Sequence, residues 1–286
     1  MIPTLVRWLS RRSLRSLHAL GWALGWLAWA LSPSHRRRSR ENAALAAVPP
    51  AAQRAAIAEA GRMVAELPWL WLSTRARPIS RWARWEGAEL LDAALAQGRG
   101  AVLLTPHLGV FEVCAQAYAE RYGASHPVTV LYRPARQAWL RELEETARAR
   151  PGLGTAPAAL AGVRQMIRAL RRGETVGLLP DQVPPHGMGV WAPFFGRDAY
   201  TMTLAARLIQ QTGCAWLLLW CERLPSAQGY VVRVQAPAGP LPEGEQAAAE
   251  AINREMERLI LQCPQQYLWG YHRYKRPRGG AKAPTA

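Results

Sequence analysis

Lysine is almost missing from this chain: Lys275 and Lys282 are the only two among 286 residues. Acid is also scarce. With 36 Lys plus Arg against 20 Asp plus Glu, the formal charge is +16, carried almost wholly by arginine. That balance points to anionic partners: nucleic acid, phospholipid headgroups or a phosphorylated substrate. Arginine suits bidentate phosphate contacts, although a GC-rich coding bias produces the same skew. Cysteine is sparse too. Cys114, Cys214, Cys221 and Cys263 form no Cys-x-x-Cys pair and sit mostly in apolar surroundings, which speaks for buried thiols and against a disulfide frame or a zinc site. Internal repeats and long linkers are lacking, and only one apolar run approaches the length of a membrane span, so most of the chain folds outside a bilayer. What is abundant is apolar residues, 50% of the total, which excludes disorder of the whole chain.

The one long apolar run is 17–31, LHALGWALGWLAWAL. As a helix it reaches about 22 Å, short of the roughly 30 Å hydrocarbon core. Trp22, Trp26 and Trp29 form one stripe, and indoles favour the headgroup boundary. Arg7, Arg11, Arg12 and Arg15 precede the run; Arg36, Arg37, Arg38 and Arg40 follow it. A cleaved signal peptide would explain Ala28-Trp29-Ala30, but a basic cluster just after the cut resists export. A helix buried in a soluble core needs no basic flanks. Membrane attachment, spanning or interfacial, fits both ends. Equal arginine counts on the two sides leave its orientation open.

Further along, 49–72 is Ala-rich and helical until Pro68. It gives way to Trp69, Trp71, Trp82 and Trp85, which suit either an aromatic core or a membrane surface. Helices are expected over 86–97, 110–122, 137–149, 159–172, 201–212 and 246–262, several closed by glycine. Strands are expected at 101–105, 128–132, 175–179, 214–221 and 230–235. This alternation predicts an α/β fold, a largely parallel sheet flanked by helices and preceded by an N-terminal membrane-attachment helix. The division expected is 1–40 for the attachment helix, 41–278 for the α/β domain and 279–286 for a flexible tail.

In such folds chemistry gathers past the carboxyl ends of strands. Here AVLLT leads to Pro106-His107, VTVLY to Arg133-Pro134, and TVGLL to Pro180-Asp181-Gln182. A base candidate, a cation and a carboxylate thus reach one rim. His107 and Glu112 are five residues apart, about 140° on a continuous helix. They meet only if Gly109 bends the chain between a turn and the first helical turn. A carboxylate on one imidazole nitrogen would then leave the other to take a proton from a hydroxyl.

His, four residues, then an acid resembles the signature of glycerolipid and lipid A acyltransferases. LLTPHLGVFE (103–112), LYRP (131–134), LLPDQ (178–182), PFFGRDAYT (193–201) and PQQYLWGYHRYKRPRG (264–279) narrow it. All five, in this order, resemble the late lipid A acyltransferases, the lauroyl/myristoyl transferase family, and the resemblance spans essentially the whole chain. Val110-Phe111 departs from the Asn-Trp of many members.

The resemblance implies a membrane-associated acyltransferase that needs no cofactor or metal. The acyl chain would come as a thioester on acyl carrier protein. Its acceptor would be a hydroxyl of a phosphorylated glycolipid, a lipid A precursor, and the catalytic domain would face the cytoplasm from the inner membrane. His107 would be the base, Glu112 its orienting carboxylate, and transfer would be direct. Substrate contacts are expected from Leu108, Gly109, Tyr132, Arg133, Asp181 and Gln182. Arg133 suits an oxyanion, an acceptor phosphate or an ion pair; Asp181 suits Arg133, an acceptor hydroxyl or a simple turn. Oxyanion donors are expected among the backbone N–H groups at the start of the 110 helix. The basic tail Arg273, Lys275, Arg276 and Arg278 suits phosphate, anionic lipid or carrier protein, or is merely solvated. An acyltransferase acting from acyl-CoA or from acyl carrier protein on another glycolipid or a lysophospholipid remains the alternative. Binding of nucleic acid is disfavoured, because the motif-bearing strands are apolar and the arginines scattered.

Overall fold

The computed structural model describes residues 2–75, 78–132, 135, 137–277 and 279. Four helices lead: α1 (Ile2–Ser10), α2 (Leu14–Leu31), α3 (Pro33–Leu45) and α4 (Pro50–Leu72). There follow β1 (Ala83–Glu86), α5 (Ala88–Ala96), β2 (Ala101–Leu104), α6 (Phe111–Tyr122), β3 (Val128–Tyr132), α7 (Ala138–Arg148) and β4 (Leu153–Pro157). Next come α8 (Leu160–Arg171), β5 (Thr175–Leu178), β6 (Gly189–Phe194), β7 (Arg197–Met202) and α9 (Leu204–Thr212). The chain finishes with β8 (Ala215–Arg223), β9 (Tyr230–Gln235) and α10 (Glu245–Gln262).

Seven strands form one sheet in the order β1-β9-β8-β2-β5-β3-β4. Every pairing is parallel except β8 with β9. The central strands are apolar on both faces because both are covered. In β2, Val102 and Leu104 enter the core under α8, α9 and α10, while Ala101 and Leu103 enter the core under α4, α5 and α6. The largely parallel α/β architecture expected from the alternation is therefore present.

The expected strands and helices recur within a few residues of their places, but four strands were not foreseen. Strands β1 and β4 are short edges, and LGTAP in β4 has little β propensity of its own. Register with β3, Val128 against Leu153 through Tyr132 against Pro157, makes it a strand. Strands β6 and β7 form an antiparallel hairpin closed by Phe195-Gly196, both at positive φ. Phe194 is buried there and Phe195 packs against the core. Helix α4 runs through Pro68 rather than stopping at it. The indoles of Trp69 and Trp71 are buried, so that part of the aromatic patch is core.

Helix α2 contains the predicted apolar run. It buries Leu14, Leu17, His18, Gly21 and Gly25, and it meets α4 backbone to backbone. A methyl group on Gly21, Gly25 or Gly61 would overlap the opposite main chain. A buried charge cluster fastens the pair to the sheet. His18 Nε2 lies 3.1 Å from Glu66 Oε2, and Tyr230 donates its hydroxyl to the same oxygen at 3.1 Å. The Arg223 guanidinium grips both Glu66 oxygens and reaches Glu59 at 2.6 Å. Burial pushes the Glu66 carboxyl up, but Arg223 and His18 outweigh it and hold it below the usual carboxylate range.

The outward side of these helices is apolar as well. Trp8 is 52% exposed, Trp22 51%, Leu27 53%, Leu31 73% and Val64 55%. Among the described residues no helix is long and apolar enough to cross a membrane. The boundary expected at 40/41 falls inside α3, which is tied to the chain after α10: Asn42 donates to the carbonyls of Trp269 and Tyr271. All four cysteines are buried free thiols. The tail expected at 279–286 lies, from 280 onward, outside the described residues.

Candidate active site

Strands β2 and β5 pair in parallel with Leu104 opposite Leu178, and Thr105 continues the ladder by donating to the Leu178 carbonyl at 3.0 Å. Three residues beyond those strand ends stand His107 and Asp181. Sheet register thus puts one against the other: His107 Nδ1 lies 2.7 Å from Asp181 Oδ1, and the His107 backbone N–H donates to Oδ2 at 2.9 Å. Tyr267 donates its hydroxyl to the same Oδ2 at 3.3 Å. Asp181 is 2% exposed. Burial alone would raise its carboxyl, but the His107 charge, the two His107 hydrogen bonds and Arg273 hold it below the usual range.

An ionised carboxylate accepts only, so His107 Nδ1 carries a proton, and in the neutral form of the ring the Nε2 lone pair is the one free to accept. It receives the Gln182 side-chain amide at 2.9 Å. Phe111 packs edge-on to the imidazole at 4.9 Å between ring centres.

The expected bond between His107 and Glu112 is not formed; the carboxylate bonded to the imidazole is that of Asp181. Glu112 is the second residue of α6, where it accepts Arg148 Nη2 at 3.0 Å and Trp71 Nε1 at 3.3 Å. Gly109 does bend the chain, at φ +60°, but the bend lets the turn pass under β8. Gly109 donates to Gln266 O and Val110 to Cys221 O, and Leu108 bridges Tyr267 while fully buried. Leu108 and Gly109, expected as substrate contacts, serve the backbone and do not line the cavity described next. The N–H groups of Gly109 and Val110 are likewise spent. Those of Phe111 and Glu112, the first two of α6, have no acceptor among the described residues.

His107 opens onto a cavity of about 350 Å³. Glu112, Tyr132, Arg148 and Gln182 share its wall with apolar groups such as Phe111, Val130, Leu179, Met188 and Leu204. Tyr132 donates to Glu144 Oε2 at 2.6 Å; burial first, then that carboxylate, pushes its hydroxyl up to about 12.

Arg148 was not anticipated. It ends α7, stacks 4.6 Å over the Tyr132 ring, and leaves Nη1 buried with no hydrogen-bond partner among the described residues. No motif marks it, since it stands at the edge of a Pro/Gly-rich stretch. The cation that was anticipated, Arg133, lies outside the described residues, as does Arg278. Arg273 is no tail cation. It is 2% exposed and donates to Tyr200 O and Thr201 Oγ1, each at 2.7 Å.

Residues 3–276 match the family described as bacterial lipid A biosynthesis acyltransferase. Among curated proteins, the chain is 29% identical over 223 residues to the lipid A biosynthesis lauroyltransferase of Escherichia coli K12, covering 77% of this chain and 70% of the relative. It is 27% identical over 215 residues to the lipid A biosynthesis palmitoleoyltransferase of the same strain, covering 74% and 67%. A lipid A biosynthesis acyltransferase of Haemophilus influenzae is 28% identical over 212 residues, covering 73% and 65%.

Proposed function

The chain belongs to the bacterial lipid A biosynthesis acyltransferase family, and from that premise we propose that His107 catalyses direct transfer of a fatty acyl chain. The donor is an acyl carrier protein thioester. The acceptor is a hydroxyl of a phosphorylated glucosamine-based lipid A precursor. One observation carries the reading: an imidazole whose Nδ1–H is held by a buried carboxylate turns its Nε2 lone pair toward a cavity with apolar walls.

The acceptor hydroxyl displaces the Gln182 amide from Nε2 and gives up its proton there as its oxygen attacks the thioester carbonyl. Asp181 stabilises the imidazolium that forms, a contribution of about 10²–10⁴ in rate for general base catalysis. The tetrahedral oxyanion finds donors in the N–H groups of Phe111 and Glu112, at the positive end of α6. Arg148 Nη1 is a third donor. Each donor is worth about 10²–10³ in rate. As the intermediate collapses, the C–O bond stays, the C–S bond breaks, and the thiolate takes the proton back from His107. A thiol leaves readily, so no enzyme nucleophile is needed. Glu112 holds Arg148 in place and keeps its own side chain at the cavity wall.

The apolar outer side of α1, α2 and α4, with arginine on α1, α2 and α3, supports attachment to an anionic membrane surface. In this reading that surface is the cytoplasmic leaflet of the inner membrane, where a carrier-protein donor is met.

The test is acyl transfer by purified protein to a tetra-acylated lipid A precursor, with acyl carrier protein and acyl-CoA donors compared. A product one acyl group heavier, formed from the carrier protein donor and lost in His107→Ala, is the expected result. Product from acyl-CoA alone overturns the donor, and transfer only to other lipids overturns the acceptor.

A further inference from the structure

A second cavity, of about 680 Å³, lies among the N-terminal helices and shares no lining residue with the His107 cavity. Its volume falls in the roughly 300–1,000 Å³ range of ligand clefts. It exists because of the helix crossing. At Gly21, Gly25 and Gly61 the backbones of α2 and α4 touch. On the Leu31 side of that crossing the two helices line a groove, with Leu24, Leu27 and Leu31 on one wall and Ile57, Ala60 and Val64 on the other.

The floor is 267–271. It is held there by the two Asn42 hydrogen bonds and by Arg38, which donates to the Gly270 carbonyl at 3.3 Å. Leu24, Leu27, Leu31 and Val64 are also among the exposed large apolar residues, so the groove opens on the outward apolar side. One end is basic. His35, Ser39 and Arg40 of α3 form that rim, and Arg40 stands 5.3 Å over the Trp29 ring. Arg36 and Arg37 lie on the same helix, whose only acid is Glu41.

An apolar slot open to the outward apolar side, with the Arg40 guanidinium at its mouth, has the chemistry of one acyl chain with a phosphate attached. We propose that this groove holds one chain of an anionic bilayer phospholipid, its headgroup phosphate against Arg40. The occupant is distinct from both substrates, because the groove is separate from the cavity where His107 acts. The inference rests on membrane attachment and not on the acyl-transfer chemistry.

The test uses the full chain on vesicles of phosphatidylethanolamine and phosphatidylglycerol, a tracer of the latter bearing a diazirine near one chain end. Sedimentation reads attachment, and mass spectrometry of the photoadducts reads position. Adducts are expected in 24–31, 53–64 and 267–271. They should fall at least fivefold in Ala60→Phe and in Ala28→Phe, the latter on an exposed helix face, with sedimentation unchanged. Arg40→Gln should lower them too. Adducts confined to the surroundings of Trp8 and Trp22, or unaltered by the filling variants, overturn the site. Equal labelling by a phosphatidylcholine tracer overturns the anionic headgroup. Displacement by a multiply acylated, phosphorylated glucosamine disaccharide overturns the bilayer lipid as occupant. Protein that fails to sediment overturns attachment and this site together, whereas sedimentation without groove adducts overturns this site alone.

Discussion

His107 and Asp181 stand 74 residues apart in sequence, the same offset that separates every paired residue of β2 and β5, Ala101 from Thr175 through Leu104 from Leu178. Their hydrogen bond extends the ladder into side-chain chemistry. A parallel pair of strands that stops at one level delivers its next residues to the same level.

Asp181→Asn should therefore remove most acyl transfer, by about 10²–10⁴ on the scale of general base assistance, while His107→Ala removes at least as much. The checking measurement is initial rate of transfer by purified, folded variants. Asp181→Asn turning over within threefold of the native protein would show that the ring needs no anionic partner.

Glu112 and Arg148 form one unit and should behave as one. Glu112→Ala, Arg148→Ala and the double variant are expected to lose similar activity, since removing either leaves the other unheld. The cycle should give a coupling of about 0.5–3 kcal/mol. Additive losses would separate the two residues.

Acid should weaken the site through Asp181. Its carboxyl is lowered in the fold, so the stability it contributes is fully present above the unfolded value of about 3.9 and is lost as pH falls through the lower folded value. Melting temperatures of the native protein and Asp181→Asn should differ by a constant amount above about pH 5 and converge on acidification below about pH 4. A gap that widens in acid would reverse the sign.

Gly109→Ala should destabilise the turn that carries His107 by more than about 1 kcal/mol and depress activity, because φ is +60° and the added methyl group overlaps the Cys221 carbonyl oxygen. Gly98→Ala is the control. It has φ +69° with open space around it, so it carries the backbone strain without the overlap. Equal melting temperatures for the two variants would count against the overlap.

Breaking the buried charge cluster should cost far more than breaking a surface pair. Glu66→Ala leaves the buried Arg223 with Glu59 as its one remaining carboxylate and His18 and Tyr230 without their acceptor, a loss of about 3–5 kcal/mol, whereas Glu245→Ala frees only the exposed Arg207 and costs about 0–1 kcal/mol. Thermal unfolding of the two variants side by side decides it.

The central strands could be read from the chain because a parallel sheet covered on both faces demands largely apolar, β-branched runs, and VTVLY and TVGLL are such runs. The edges could not: β4 is a strand because β3 stands beside it, and nothing in Leu-Gly-Thr-Ala-Pro announces it. The same division runs through the site. His107 was visible as an imidazole at a strand end, and Glu112 as a carboxylate at motif spacing. The partner of His107 came from sheet register, which joins residues 74 apart and leaves no mark in local spacing. Arg148 reaches Glu112 from the end of a helix 36 residues on, through tertiary packing alone.

The cluster of His18, Glu66 and Arg223 bears on how the protein can be handled. Trimming 1–31 to improve solubility would strip Leu14, Leu17 and His18 from the core and open Glu66 to water. A tractable variant would keep α2 whole and recast only its outward residues, Leu20, Leu24, Leu27 and Leu31, as polar ones.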